Sequence, residues 1–420
     1  MRRKSSLSAR RRFLGSGLAA AAGLLLPRPS SASSVPGLAA LRARFPDLRR
    51  RFVFEYYPWY GRDPWRHWDA EDRTPPFDVA APYMPRLGPY DSRSRAVIAQ
   101  HARWIADSGV GSVNLSWWGP DSYEDRAAHG VMDVMRDHDL KVTFHLEPYA
   151  PDRGRRFTSD VLYLIREYGE RRGFDALLLL RDPDGAVAPV FKGFEMILPA
   201  TSRDCRGVER PVANFTPDGE WRQQTGALRS VLRGDFERVQ LLADSLDVGR
   251  VAVSGFDGIA IYDNRVGPKS YAQAARDASA NGLLFSLNVN PGFHVVRPRI
   301  PSVDECGQAR VPPPFVPAGA GLDLGSVDGR ETAADLGRRR IVDSFEATIA
   351  LQSDPGLSNA QRGFFLTYVN SFNEWHEGHA FEPMTDAAAL RPEERALGYG
   401  NPERGDYRLA LLKDLLRGVE

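Results

Sequence analysis

The chain has 420 residues, 42% hydrophobic and 26% charged, enough apolar content for a large core and too much for a disordered or collagen-like polymer. Its 55 Lys and Arg nearly balance 54 Asp and Glu, but seven cations and no acid fall in the first 32 residues. The rest holds 48 cations against 54 acids, a net charge of −6 that gives no basic footprint for nucleic acid.

At the N-terminus, Ser8-Ala9-Arg10-Arg11-Arg12-Phe13-Leu14 precedes an apolar run over 18–26, then Pro27 and the small residues Ser30-Ser31-Ala32. A cationic head, a short apolar stretch and small residues read as an export signal, removed near Ala32. The arginine pair followed by x-Phe-Leu resembles the twin-arginine type, which places the mature chain in the periplasm or outside the cell. The apolar run is short for the ~30 Å of a bilayer core. No later stretch reaches ~18 apolar residues, so the body is expected to be soluble and free of the membrane once the signal is gone. Residues 33–50 read as a linker or N-terminal extension and 51–420 as one catalytic domain.

Beyond residue 50, apolar β-type runs alternate with amphipathic helical stretches. Strands are predicted over 52–57, 112–115, 142–146, 189–191, 258–262, 283–287 and 365–370, and helices over 94–108, 126–138, 159–171, 270–280 and 331–351. Such alternation implies a parallel sheet with helical crossovers. The segment 205–246 is ambiguous apart from a turn at 214–219, and the Pro/Gly-rich 298–329 reads as a long loop near the mouth of the fold. Aromatic and acidic residues collect just after the strands: Pro58-Trp59-Tyr60-Gly61, Ser116-Trp117-Trp118-Gly119, Glu147-Pro148-Tyr149, Asp263-Asn264-Arg265 and Asn373-Glu374-Trp375-His376-Glu377. A (β/α)8 barrel builds its active site there. A doubly wound sheet also binds ligands at that edge, but the G-x-G-x-x-G, G-x-x-x-x-G-K-[ST] and G-x-S-x-G signatures do not occur. The expected fold is therefore α/β, a single-domain (β/α)8 barrel with long loops at its C-terminal face. Cys205 and Cys306 lack metal-ligand spacing; they can pair in an oxidising compartment, and two separate thiols fit nearly as well.

Glu374 and Glu377 stand three residues apart just beyond an apolar strand. Glycoside hydrolysis needs paired carboxyl groups about the anomeric carbon, one protonated and one ionised, and a shared pocket pushes their pKa values apart. Aromatic faces nearby suit the C–H side of a sugar ring. On spacing alone, a solvated acidic turn at a helix start explains the pair as well; the aromatic and acidic residues at four other strand ends favour catalysis. His376, Glu377 and His379 raise a metal alternative, but their H-E-x-H spacing is not H-E-x-x-H, and no metal is expected.

Tyr56-Tyr57-Pro58-Trp59-Tyr60-Gly61, Ser116-Trp117-Trp118-Gly119-Pro120, His145-Leu146-Glu147-Pro148-Tyr149, Gly255-Phe256-Asp257-Gly258 and residues 370–378 together resemble glycoside hydrolase family 99, the endo-α-1,2-mannosidases. The motifs keep the family's order from residue 52 to the C-terminus. The resemblance implies a (β/α)8 barrel that cleaves internal α-mannosyl linkages with retention, without cofactor or essential metal. In that scheme one carboxylate draws the proton from the sugar's 2-hydroxyl, which forms a 1,2-anhydro sugar, and the other is acid and then base. By motif, Glu374 assists the 2-hydroxyl and Glu377 is the acid/base. Glu147, Tyr57 and Tyr262 match active-site groups, Arg297 a substrate-binding arginine, and Asn373 and His376 flank the pair as substrate contacts. Trp117 and Trp118 are both candidate contacts, though alternation along a strand sends one to the lumen and one into packing. The expected partner is an oligosaccharide or polysaccharide, bound by a monomer. The chain departs from the family after the fourth strand, at Lys192-Gly193-Phe194-Glu195, at Asn290-Pro291-Gly292-Phe293 and at Asp263-Asn264, so the glycan is less fixed than the reaction. An endo-α-1,3-glucanase, another glycan-modifying barrel enzyme and a non-catalytic glycan-binding barrel are the alternatives.

Overall fold

A computed structural model describes Val35, residues 37–318 and residues 322–417; the export signal lies outside the described residues. Eight parallel strands form the centre: β1 Phe52–Tyr56, β2 Ser112–Trp117, β3 Lys141–Leu146, β4 Val187–Gly193, β5 Gln240–Ala243, β6 Gly258–Ala260, β7 in two pieces, Leu284–Ser286 and Asn288–Val289, and β8 Thr367–Val369. Neighbours pair in chain order, and the ring closes because the second piece of β7 pairs with β8 and β8 pairs with β1. The expected (β/α)8 barrel is what the chain forms.

A helix follows each strand: α1 Arg95–Asp107, α2 Tyr123–Asp137, α3 Arg153–Tyr168, α4 Asp218–Leu232, α5 Val248–Val253, α6 Pro268–Ala280, α7 Val327–Ser353 and α8 Tyr407–Leu416. Local chemistry sets several starts. Ser122 caps α2 by accepting the Asp125 N–H, Ser326 caps α7 by accepting the Gly329 N–H, and Pro268 opens α6 where its missing N–H costs nothing.

Strand alternation divides the side chains. Phe52 and Phe54 of β1, Val113 and Leu115 of β2, and Val142 and Phe144 of β3 face the helices in the main core. Val53, Val190, Leu242, Ala260, Leu284 and Tyr368 fill the lower lumen. A second core lies under the long β1–α1 connection, where Tyr60, Trp68, Tyr83 and Tyr90 pack with Trp375 and Met384. Residues 38–51 of the N-terminal extension are also built in: helix Leu38–Arg44 and the 3-10 turn Leu48–Arg51 bury Leu38, Leu41, Phe45 and Leu48.

The ambiguous segment 205–246 contains α4 and β5. The four residues of β5 are all buried, so no alternation marks them, and α4 carries a largely polar exposed surface. Cys205 and Cys306 form a disulfide that ties the β4–α4 connection to the β7–α7 connection. No helix among the described residues is long and apolar enough to cross a membrane.

Candidate active site

At the C-terminal ends of the strands a cavity of about 380 Å³ is lined by Tyr57, Trp59, His67, Trp118, His145, Glu147, Pro148, Phe194, Tyr262, Glu374, His376 and Glu377. Seven of the residues singled out in the sequence meet here, drawn from the ends of β1, β2, β3, β6 and β8. A separate cleft of about 280 Å³ near Arg229, Phe236 and Asp257 lies at the N-terminal ends of β5 and β6, away from these side chains.

The turn that carries Glu374 and Glu377 leaves β8 through a cis Asn370–Ser371 peptide. Glu374 Oε1 accepts the N–H groups of His376 at 2.8 Å and Glu377 at 3.3 Å, so the turn folds back on its own first carboxylate. Gly378 ends the turn at φ 65°, where a Cβ would stand 2.4 Å from the His294 carbonyl oxygen. Glu374 is buried, and burial together with the Glu377 charge holds its carboxyl well above the usual range. Glu377 is more open, and its Oε2 lies 3.1 Å from the Tyr262 hydroxyl and 2.7 Å from His379 Nε2. Two carboxyl groups in unlike settings can divide the proton-donor and proton-acceptor roles.

Glu147 completes the acidic side. It is raised by burial, against the pull of His145 and a 2.8 Å hydrogen bond from Ser116. Opposite stands an aromatic wall: the Trp59 and His67 rings stack at 4.7 Å with 12° between planes, and His376 lies 5.5 Å from His67. Burial pushes His376 down to about 4 and His67 to about 3, so both are neutral at ordinary pH. Among the described residues Trp59 Nε1 and His376 Nε2 are buried without a hydrogen-bond partner, and His67 has a strained φ of 63°. Unpaired polar groups beside flat aromatic faces suit a polyhydroxylated ring.

Three expected contacts take other places. Trp117, aligned with Val113 and Leu115, faces the helices and donates its Nε1–H to Asp125 at 2.7 Å. Trp118 faces the cavity and donates to Ser116 Oγ at 3.1 Å, which is the division that alternation expects. Asn373 is fully buried and clamps the Tyr57 backbone, accepting its N–H at 2.7 Å and donating to its carbonyl at 2.9 Å; it positions a lining residue instead of lining the cavity. Arg297 is exposed and borders two neighbouring clefts beside His294. Its loop is nevertheless tied to the Glu374–Glu377 turn, since His294 and Val296 donate N–H groups to the carbonyls of Glu377 and His376. His379 points to Glu377 and Ser371 and His376 to the aromatic wall, so the histidines diverge.

Sequence reasoning missed Trp59, His67, His145 and Phe194. Trp59 lies inside the quoted Tyr-Tyr-Pro-Trp-Tyr-Gly string, and His145 stands two residues before Glu147 on the same strand, hence on the same face. His67 and Phe194 lie on connections, where periodicity carries no signal.

The family profile described as Glycosyl hydrolase family 99 matches residues 55–178. The chain is 24% identical over 362 residues to the glycoprotein endo-alpha-1,2-mannosidase of Mus musculus, covering 78% of this chain and 66% of that protein. It is 25% identical over 274 residues to that of Xenopus laevis, covering 57% of each. The chain thus spans about two thirds or less of these relatives. The GH99 endo-alpha-mannosidase structure from Bacteroides thetaiotaomicron has the same fold, with a TM-score of 0.57, 20% identity, and coverage of 87% of this chain and 96% of that one. Over residues 55–178 the chain thus matches the family 99 profile, its strand-end motifs and Glu374–Glu377 turn resemble that family's, and its barrel is the fold of a family 99 structure.

Proposed function

We propose that this protein is an exported, retaining endo-α-mannosidase that cleaves internal α-mannosyl linkages by participation of the sugar's own 2-hydroxyl. The observation that carries this reading is the turn that sets Glu374, buried and raised in basicity, three residues from the more open Glu377 in an aromatic-walled cavity.

Burial and the neighbouring charge make the Glu374 carboxyl hold a proton more tightly than usual; turnover needs Glu374 ionised and a proton on Glu377, beside the leaving oxygen. Glu374 then takes the 2-hydroxyl proton while O2 attacks C1, the C1–O bond to the aglycone breaks, and the leaving oxygen collects the proton of Glu377. This yields a 1,2-anhydro sugar and a free alcohol. In the second half Glu377 removes a proton from water, the water oxygen attacks C1, the C1–O2 bond opens, and O2 regains its proton from Glu374. Two inversions at C1 give net retention. A buried carboxylate is the stronger base, which is the property its step uses. Tyr57, Tyr262 and Glu147 surround the reacting ring.

Product anomeric configuration read by NMR tests retention, and a 2-O-methyl α-mannoside tests participation. Hydrolysis of the 2-O-methyl substrate at the rate of the parent would overturn the role of the 2-hydroxyl. Two features support export: the Arg10-Arg11-Arg12-Phe13-Leu14 leader and the Cys205–Cys306 disulfide, of a kind that persists in oxidising compartments. Cell fractionation of the full chain and of an Arg10→Lys/Arg11→Lys variant tests it; equal periplasmic yield from both would exclude the twin-arginine route.

A further inference from the structure

Beneath the cavity, four adjacent strands send polar side chains into the lumen, among them Glu55 from β1, Asn114 from β2, His145 from β3 and Lys192 from β4. All four are buried. Glu55 Oε1 lies 2.5 Å from Lys192 Nζ, and its Oε2 accepts from Asn114 Nδ2 at 2.7 Å. Oε2 also faces His145 Nδ1 at 3.3 Å. Burial would push the Glu55 carboxyl up, but Lys192 and His145 outweigh it and bring it down to about 2. An ion pair sealed in a barrel lumen is a poor way to gain stability, because desolvation offsets most of the attraction and an apolar pair would fill the space as well.

The side of His145 facing away from Glu55 reaches the cavity. Its ring is 1% exposed and lines the cavity, yet neither ring nitrogen has a hydrogen-bond partner among the described residues: Nδ1 only approaches the Glu55 carboxyl, and Nε2 meets nothing. Above it stands Glu147, on the same strand face, with Oε1 4.0 Å from Nδ1. An ionised carboxylate only accepts, so in the neutral ring the 3.3 Å approach of Glu55 favours the proton on Nδ1 and leaves the Nε2 lone pair free. A buried acceptor with nothing to accept is costly unless a ligand supplies the donor.

We propose that His145 is a substrate-binding residue whose Nε2 accepts a hydrogen bond from a hydroxyl of the bound sugar, and that Glu55 and Lys192 are positioning residues that fix its tautomer and orientation. This rests on the reading of the cavity as a glycosidase site. It also gives a purpose to the unusual Lys192-Gly193-Phe194-Glu195 stretch: the lysine supplies the charge that lets Glu55 stay ionised beside His145. The arrangement follows the general pattern in which a second group, hydrogen-bonded behind an imidazole, decides what its front nitrogen can do.

The test is a cycle between variants and hydroxyls, run on the full chain with an aryl α-mannobioside and its monodeoxy analogues. His145→Ala is expected to lower kcat/KM about 10- to 100-fold on the parent. On the one analogue lacking the contacted hydroxyl it is expected to lower kcat/KM little further. Glu55→Gln/Lys192→Met removes both charges at once, so no lone buried charge is left and folding, read by near-UV circular dichroism, is expected to survive. Its loss should be similar in size and should not add to that of His145→Ala. Equal losses on every analogue, or full additivity, would overturn the proposal. A wild type that hydrolyses none of these mannosides would instead sink the reading of the activity; calorimetric binding of the same panel then decides His145 by the same cycle.

Discussion

His379 turns Nε2 to Glu377 Oε2 at 2.7 Å and Nδ1 to Ser371 Oγ at 3.1 Å, and the same Ser371 Oγ accepts the Glu374 N–H at 2.7 Å. With Glu377 ionised and the His379 ring neutral, the directions are fixed: the Glu374 peptide donates to Ser371, Ser371 to His379, and His379 to Glu377. One short chain therefore couples the backbone of Glu374 to the carboxylate of Glu377. His379→Ala is expected to lower kcat about 10- to 100-fold with little change in the affinity for an unreactive glycan. Steady-state kinetics beside calorimetry checks this, and a fall in affinity equal to the fall in kcat would refute it.

The raised Glu374 carboxyl also has a stability consequence. A group whose folded pKa lies above its unfolded value contributes stability below the unfolded value and loses it as pH rises towards the folded one. Wild type should therefore lose stability relative to Glu374→Gln as pH climbs from about 4 to neutrality, and the inactive variant should melt higher at pH 7. Melting curves of both proteins across that range read the gap, and parallel curves would refute the expectation.

Glu55 has the opposite sign. Its folded value near 2 lies below the ordinary 4.5, so its contribution is present above the ordinary value and is lost as pH falls from 4.5 towards 2. The size is on the order of 3 kcal/mol. Chemical denaturation of wild type and Glu55→Gln/Lys192→Met at pH 6 and pH 3 should show the wild type losing more on acidification.

Trp117 and Trp118, adjacent in sequence, should fail in different ways. Trp117→Phe removes the donor to Asp125, a buried acid that also accepts from Tyr163 at 2.8 Å and Tyr168 at 2.7 Å, and should cost about 1–3 kcal/mol of stability with KM unchanged. Trp118→Ala should raise KM and leave the melting temperature nearly alone. Kinetics and melting on the two variants separate the roles.

The Cys205–Cys306 bridge closes a separation of 101 residues between two rim connections. Replacing both cysteines by serine should cost about 2–4 kcal/mol, read by urea unfolding under oxidising conditions. Identical midpoints would show that the two connections hold each other without it.

The sequence revealed the barrel where strands were flanked by marked residues. Strands 1 to 3 and 6 to 8 could be read because their apolar runs end in Trp, Tyr, Glu or Asn, and strand 4 by its short apolar run alone, whereas β5, four buried residues without alternation, left no trace. The carboxylate pair was legible because both members sit in one turn. Arg297 and Asn373 were misplaced for the same reason that His67 was missed: loop side chains are aimed by tertiary contacts. Asn373 is drawn to the Tyr57 backbone by its two hydrogen bonds, a pairing across 316 positions that no local pattern encodes. The Glu55–Lys192 pair was hidden in strands that read simply as apolar, since a single charge inside a run looks like its polar edge.

Trp375, between Glu374 and Glu377 in sequence, belongs to the second core: its N–H donates to the Tyr60 hydroxyl at 3.0 Å and its indole to Glu382 at 3.1 Å, while Tyr60 stacks on Trp68 at 4.1 Å. The reactive turn is thus bolted to a plate of rings contributed by the opposite end of the chain. Drift in the stretch from residue 60 to 90, remote in the polymer from the glutamates, is therefore free only so far as it preserves the bearing on which they are mounted, and selection for turnover reaches outward into what looks like decorative surface loop.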